Sequence, residues 1–158
     1  MDTIIRRALI IGAGGGVGRE IAVQLAGAGM KLALTGPDAA DLMRTAALTG
    51  RPLDMLVLPA DIAAKRGQDD ILHIMQGHLK GLDALVNCAG GAARELCRRA
   101  LPLLEASDRP VVLELGGEAA LSTGEAAGIR LEALDGGATD ERAIRALAEK
   151  AVRIVLGD

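Results

Sequence analysis

The sequence predicts an α/β domain, doubly wound around a mostly parallel sheet of about six strands and shortened in its second half. Three observations carry that expectation. Short aliphatic and β-branched runs alternate with longer segments of helical period. A glycine-rich turn follows the first run directly. The chain has 158 residues, 50% of them hydrophobic, which makes one ordinary domain with a sizeable core. No internal repeat, low-complexity tract or linker divides it, so residues 1–158 read as a single domain.

The elements follow in order. Residues 7–11 (RALII) form the first strand, GAGGGVG the turn, and REIAVQLAGAG a helix whose Ile21, Val23, Leu25 and Ala26 suit burial. A second strand at 31–35 (KLALT) stops at Gly36 and Pro37. Asp38 is placed to cap a helix over 39–48 carrying Leu42, Met43 and Leu48. The third strand is 54–58, closed by Pro59, with Asp61 just beyond. A helix at about 64–79 carries Ile71, Leu72, Ile74 and Met75, and the fourth strand, 83–87 (DALVN), runs into CAGG. A helix at about 92–106 then leads to a strand at 110–115 and, after barely a dozen residues, to a strand near 129–133. A final helix at about 139–156 takes Thr139 as its cap, with Asp140 and Glu141 in its first turn.

Composition narrows the function. Lys plus Arg number 18 against 21 Asp plus Glu, a formal net charge of −3, and no basic run forms a phosphate-tracking stripe, so nucleic acid is not an expected partner. Cys88 and Cys97 make no disulfide framework and lack metal-ligand spacing. His73 and His78 have no Cys or acidic cluster beside them, so no metal is expected. No apolar stretch approaches the roughly 20 residues that cross a bilayer, and the apolar run of MDTIIRRALIIG is too short for a signal sequence. A cytoplasmic protein, not on a membrane, is the expectation. The chain holds no Phe, Tyr or Trp, so its core must be aliphatic and no mechanism can use a tyrosine hydroxyl.

Gly12, Gly16 and Gly18 follow the pattern G-x-x-x-G-x-G between the first strand and the first helix. Glycines there let the backbone approach a pyrophosphate, while a helix N-terminus offers free N–H groups and a positive dipole end. The G-x-G-x-x-G register starting at Gly12 and Gly14 fails at Val17. A flexible strand-to-helix turn is the alternative reading of the same glycines.

ALIIGAGGGVG, then LAGAGMKLALTG, Asp61-Ile62 after the third strand and LDALVNCAGG after the fourth together resemble the short-chain dehydrogenase/reductase family in order and spacing. The resemblance is good over about residues 7–92 and partial beyond. It implies a Rossmann-like fold and binding of NAD or NADP. The glycine segment (Gly12, Gly16, Val17, Gly18) would hold the pyrophosphate, and Asp61 and Ile62 would reach the adenine ring. Asn87, Ala89 and Gly90 would support the cofactor pocket. The end of the second strand, where the family reads the ribose, shows Thr35-Gly36-Pro37-Asp38. Asp38 stands slightly late for a ribose contact and also serves as a cap, and Arg44 lies on the next helix. The balance leans to NAD.

The departures concern catalysis. The family uses a serine after the fifth strand and a Tyr-x-x-x-Lys pair on the following long helix. Here Gly116 or Gly117 takes the serine's place, no Tyr exists, and the residues between Gly117 and Ile129 are too few for that helix. Hydride transfer by the usual mechanism is excluded. Other chemistry is sparse. Cys88 lies near the expected nicotinamide position without a His to activate it and reads as a small filler, while Cys97 on its helix reads as core or partly exposed. Glu114, Glu118 and Glu125 offer carboxylates that read as solvated, Ser122 and Thr123 either contact a ligand or shape the turn, and His73 and His78 read as structural or solvent-facing.

Loss of helical cover should leave Val111, Leu113, Leu115, Ile129 and Leu131 only partly buried, a patch that implies a homo-oligomer or a hetero-oligomer with a related subunit. Two functions remain: a dinucleotide-binding, non-catalytic or regulatory subunit, or an enzyme with a substitute proton donor in the same cleft.

Overall fold

The computed structural model describes residues 6–116, 121, 128–135 and 140–157. Six strands, β1 (Arg7–Ile11), β2 (Lys31–Gly36), β3 (Met55–Pro59), β4 (Ala84–Asn87), β5 (Val111–Leu115) and β6 (Arg130–Leu134), form one sheet ordered β3-β2-β1-β4-β5-β6. Every neighbouring pair is parallel. The helices are α1 (Gly16–Gly27), α2 (Ala39–Leu48), α3 (Lys65–His78), α4 (Arg94–Ala100) and α5 (Glu141–Leu156). This is the doubly wound, Rossmann-like fold that the alternating pattern predicts.

Alternation along each strand feeds two cores. Ala8 and Ile10 face α1 and α5, joining Ile21, Leu25, Ala148, Ala151 and Val155. Leu9 and Ile11 face the other side, with Ile71, Met75, Leu85, Leu96 and Cys97. Strands apolar on both faces need helices on both, which the βαβ crossovers supply. The packing is aliphatic throughout, and a fully buried Leu or Ile contributes about 1.5–3 kcal/mol. At the start of β4, Asp83 ties three segments: one carboxylate oxygen accepts from the Arg7 backbone N–H at 2.8 Å and from its guanidinium at 3.3 Å, the other from the Ser107 hydroxyl at 2.7 Å. Burial works against ionising Asp83, but the Ser107 and Arg7 contacts outweigh it and hold the carboxyl below its ordinary range.

Three expectations need correction. The helix at 92–106 is instead a 3-10 turn at Gly90–Ala93, the seven-residue α4, and a second 3-10 turn at Leu101–Leu104. Pro102 has no N–H to donate to the Arg98 carbonyl, and its ring would press on it. The last helix is capped by Asp140, whose side chain accepts from the Ala143 N–H at 2.9 Å, and Thr139 lies outside the described residues. Finally, Val111, Leu113 and Leu115 are buried rather than half-bare. They sit at i, i+2 and i+4 and so share the face that α5 covers with Ala148, Ala151, Val152 and Val155. Cover is thinner on β6, where Ile129, Leu131 and Leu134 are half-buried and Ala133 is exposed. Among the described residues no helix is long and apolar enough to cross a membrane.

Candidate functional site

The strand order places a topological switch between β1 and β4, whose following helices lie on opposite faces. In open α/β sheets the crevice at the C-terminal ends of such strands is where ligands bind. The chain leaves β1 through Gly12 at φ +84°, a left-handed conformation that favours glycine. The Gly12 and Ala13 amides both donate to the Thr35 carbonyl, at 2.9 and 3.2 Å. The Thr35 hydroxyl in turn donates to the Leu58 carbonyl at 2.6 Å, so the ends of β1, β2 and β3 are tied together.

The turn closes on itself where α1 starts. A Cβ on Gly18 would stand 2.2 Å from the Gly12 carbonyl oxygen, so only glycine lets the first turn of α1 lie this close to the end of β1. Gly16, at φ +54°, faces open space. The N-cap, Gly15, carries no capping side chain, and the first turn of α1 holds no acidic residue. The helix therefore presents its first N–H groups and its positive dipole end uncompensated by its own side chains. Val17 packs half-buried beneath.

Two residues that sequence reasoning missed hold this turn. Arg19 donates from Nη2 to the Gly14 carbonyl at 2.6 Å and to the Asp41 carbonyl at 3.1 Å, and from Nε to the Thr45 hydroxyl at 2.9 Å. Buried Thr45 donates to the Ala13 carbonyl at 2.7 Å. The carbonyls of Ala13 and Gly14 are thereby engaged by α1 and α2. The signal in the sequence was a polar residue, Thr45, on the apolar stripe of its helix.

The β4 turn lies against this loop: the Cys88 amide donates to the Ile11 carbonyl at 2.8 Å, and a Cβ on Gly12 would meet the Cys88 carbonyl carbon at 3.2 Å. Buried Asn87 organises the turn. Its Oδ1 accepts from the Ala89 N–H at 2.9 Å, and its Nδ2 donates to the Gly90 carbonyl at 3.0 Å and to Glu114 Oε1 at 3.3 Å. Gly90 takes a left-handed φ of +62°. Glu114, expected in solvent, is buried on β5, where its other oxygen accepts from the Leu121 N–H at 3.4 Å. Parallel register explains the burial, since Glu114 pairs with Asn87 on the face that α3 and α4 cover.

Beyond β3, Asp61 Oδ1 accepts from the Ala63 N–H at 3.1 Å, forming a tight turn into α3. Gly67 permits it, because a Cβ there would stand 2.2 Å from the Asp61 carbonyl oxygen. The Ile62 carbonyl accepts from Gln68 Nε2 at 3.0 Å, and Gln68 Oε1 accepts from Arg99 at 3.1 Å. Asp38 caps α2 through the Asp41 N–H at 3.0 Å and stays exposed at the end of β2. Gly12, Gly16, Val17, Gly18, Asp38, Asp61, Ile62, Asn87, Ala89 and Gly90 are thus all gathered along one edge of the sheet.

The catalytic candidates fare differently. Burial pushes the Cys88 thiol up to about 12. Burial, helped by the negative charge of Glu114, does the same to Cys97. Neither supplies a thiolate near neutrality. His73 and His78 are exposed on α3, away from the glycine turn. Gly116 follows β5 at φ +83° and offers no hydroxyl. Gly117, Glu118, Ser122, Thr123 and Glu125 lie outside the described residues. Among the described residues, no three His, Cys, Asp or Glu come together to hold a metal.

Comparison with known proteins agrees with this geometry. The family described as short chain dehydrogenase matches residues 6–109. An uncharacterized oxidoreductase of Staphylococcus aureus (strain USA300) is 34% identical over 83 residues, 52% of this chain and 36% of that protein. The match therefore spans little more than a third of that relative's length. Among solved structures, the apo glucose dehydrogenase of Caenorhabditis elegans superposes with a TM-score of 0.64 at 26% identity, covering 77% of this chain and 60% of that one. A metagenomic short-chain oxidoreductase in complex with NADP superposes at 0.74 over 95% of this chain and 90% of its own, at 16% identity.

Proposed function

The chain belongs to the short chain dehydrogenase family, and we propose that it is a cytoplasmic protein that binds a nicotinamide dinucleotide without the family's usual redox catalysis. One observation carries the reading: the contact between Gly18 and the Gly12 carbonyl, which sets the uncapped N-terminus of α1 against the end of β1. That arrangement suits a pyrophosphate, with no side chain at Gly16 to block its approach. Val17 would flank it, Asp61 and Ile62 would receive the adenine end, and the Asn87-to-Gly90 turn would border the nicotinamide end. NAD is preferred to NADP, because exposed Asp38 puts negative charge at the end of β2, where a 2′-phosphate would be repelled.

When bound, the nicotinamide ring supplies a hydride donor or acceptor; the chain's part is to bind and orient it. Neither Cys88 nor Gly116 supplies the proton donor that carbonyl reduction requires. The family's Tyr-x-x-x-Lys helix belongs between β5 and β6, both of which are present, and residues 116–129 hold no Tyr or Lys. We propose a regulatory or structural subunit, associating with a copy of itself or with a related subunit, a role supported by the thinly covered strip Ile129, Leu131 and Ala133. A second reading, an enzyme with a substitute acid, is favoured only by the buried Glu114 carboxylate beside Asn87.

The test is a titration of NADH and then NADPH, following nicotinamide fluorescence, which no aromatic residue contaminates. Saturable binding, tighter for NADH and lost in Gly16→Leu with unchanged circular dichroism, is the expected result. Absence of binding overturns the dinucleotide reading. Turnover of carbonyl substrates that vanishes in Glu114→Gln overturns the non-catalytic one.

A further inference from the structure

At the opposite edge of the sheet, where the strands begin, three arginines meet the end of α5. A helix leaves its last four carbonyls without intrahelical partners. Here each one is engaged: Gly157, at φ +84°, donates its N–H to the Arg153 and Ile154 carbonyls. Arg130 Nη2 also donates to Ile154, Arg6 Nη1 to Val155 at 2.8 Å, and Arg109 Nη2 to Leu156 at 3.5 Å. Arg6 further reaches the Arg109 carbonyl at 3.4 Å.

Capping alone does not account for this arrangement. One left-handed glycine or one basic side chain usually suffices at a helix C-terminus. The dipole end presents about half a negative charge, against three full positive charges. Among the described residues none of the three guanidiniums forms an ion pair. Among the described residues, Asp83 and Asp108 line an adjoining hollow with Arg6 and Arg109, and Asp83 is already engaged by Arg7 and Ser107. The three arginines, with Pro110, Gly128 and Gly157, line a cleft of about 310 Å³. Each guanidinium has five N–H donors in a rigid fork, and most of these are not spent on carbonyls. The Arg6 and Arg130 forks are held at their tips by the Val155 and Ile154 carbonyls, with Arg109 beside them in longer contact with Leu156, so the cluster is gathered around the cleft in a way that suits a planar or tetrahedral oxyanion.

We propose that Arg6, Arg109 and Arg130 form a second ligand site, selective for a phosphoryl group, at the edge of the sheet opposite the glycine turn. The cleft exceeds the needs of free phosphate, so the ligand is a small molecule carrying a phosphate monoester. The site stands independently of the dinucleotide reading.

The test uses the full chain and amide NMR shifts, because on the proposed reading the glycine turn would take phosphate as well. Inorganic phosphate and glycerol 3-phosphate are titrated at constant ionic strength, with chloride and acetate as controls. The expected result is saturable movement of the Gly128, Arg130 and Gly157 amides, with the phosphate ester binding more tightly than inorganic phosphate. It should persist in Gly16→Leu and weaken at least tenfold in Arg109→Gln and in Arg130→Lys, which keeps the charge but loses the fork. Equal response to chloride, movement confined to residues 12–18, or unchanged affinity in both arginine variants overturns the proposal. If the arginines serve only as caps, the variants loosen α5 in hydrogen exchange whether or not phosphate is present, and no phosphate-dependent shift appears at Gly157.

Discussion

The strands β1 to β4 and the strands β5 and β6 belong to one parallel ladder, yet they are joined differently. The first set is linked by helices of 12, 10 and 14 residues, each seated on the sheet. The second is reached through the seven-residue α4, and residues 116–129 must carry the chain from β5 to β6. Burial divides the sheet differently, between inner strands and edges: β5 is as enclosed as β1 and β4, while the edge strands β3 and β6 are only partly covered. Ala8 to Ile11 and Ala84 to Val86 are fully enclosed, whereas no residue of β6 is. On the proposed reading the difference in linkage separates two requirements of a dinucleotide fold: a phosphate-holding crevice needs only the early strands and α1, while the proton chemistry that the family resemblance implies would be lodged in the crossover that is short here.

Four experiments press on that division. The largest effect is expected from Leu113→Ala on β5, which should cost about 2–5 kcal/mol by leaving a cavity under α5. Leu131→Ala on half-buried β6 should cost distinctly less. Equal urea-denaturation losses would show that β6 is as integral as β5. Next, Gly18→Ala drives a methyl group into the Gly12 carbonyl and should cost about 1–3 kcal/mol together with nucleotide binding. Retained binding in a calorimetric titration would detach the crevice from this contact.

A smaller effect is expected at the joint between the two sets. Asp83 is held below its ordinary range, so its contribution is complete above about pH 4, the unfolded value, and fades as pH falls through the lower folded value. Asp83→Asn should remove that part of the acid-induced loss, read as a flatter dependence of the urea midpoint below pH 4. The smallest is a gain: Gly77 lies within α3 facing open space, and Gly77→Ala should stabilise by about 0.4–1 kcal/mol. In the same helix Gly67→Ala should destabilise, because its methyl group would meet the Asp61 carbonyl.

The fold was legible because its signals are local. Aliphatic runs, the glycine spacing and Pro59 mark strands and turns without reference to the rest of the chain. Asp38 was readable as a cap for the same reason. The Arg19–Thr45 brace was not, since it joins α1, α2 and the glycine turn across 26 positions in sequence. Two misreadings had usable signals. Pro102 stood inside a segment taken as one helix. The i, i+2, i+4 spacing of Val111, Leu113 and Leu115 already assigned them to one face, leaving Glu114 on the other, so a single helix could cover all three.

The strand order also fixes which edges wait for a partner as the chain is synthesised. The strands on one side of β1, β2 and β3, emerge before those on the other, β4, β5 and β6. Until Ala84 leaves the ribosome, the second edge of β1 has no partner strand, and its unpaired amides and carbonyls are flanked by Leu9, Ile10 and Ile11. A nascent chain stalled in that interval is an adhesive object, prone to pair with other strands. The residues that complete the crevice are therefore the same ones that cover the open edge of β1, a dual duty that rests on the four residues of β4.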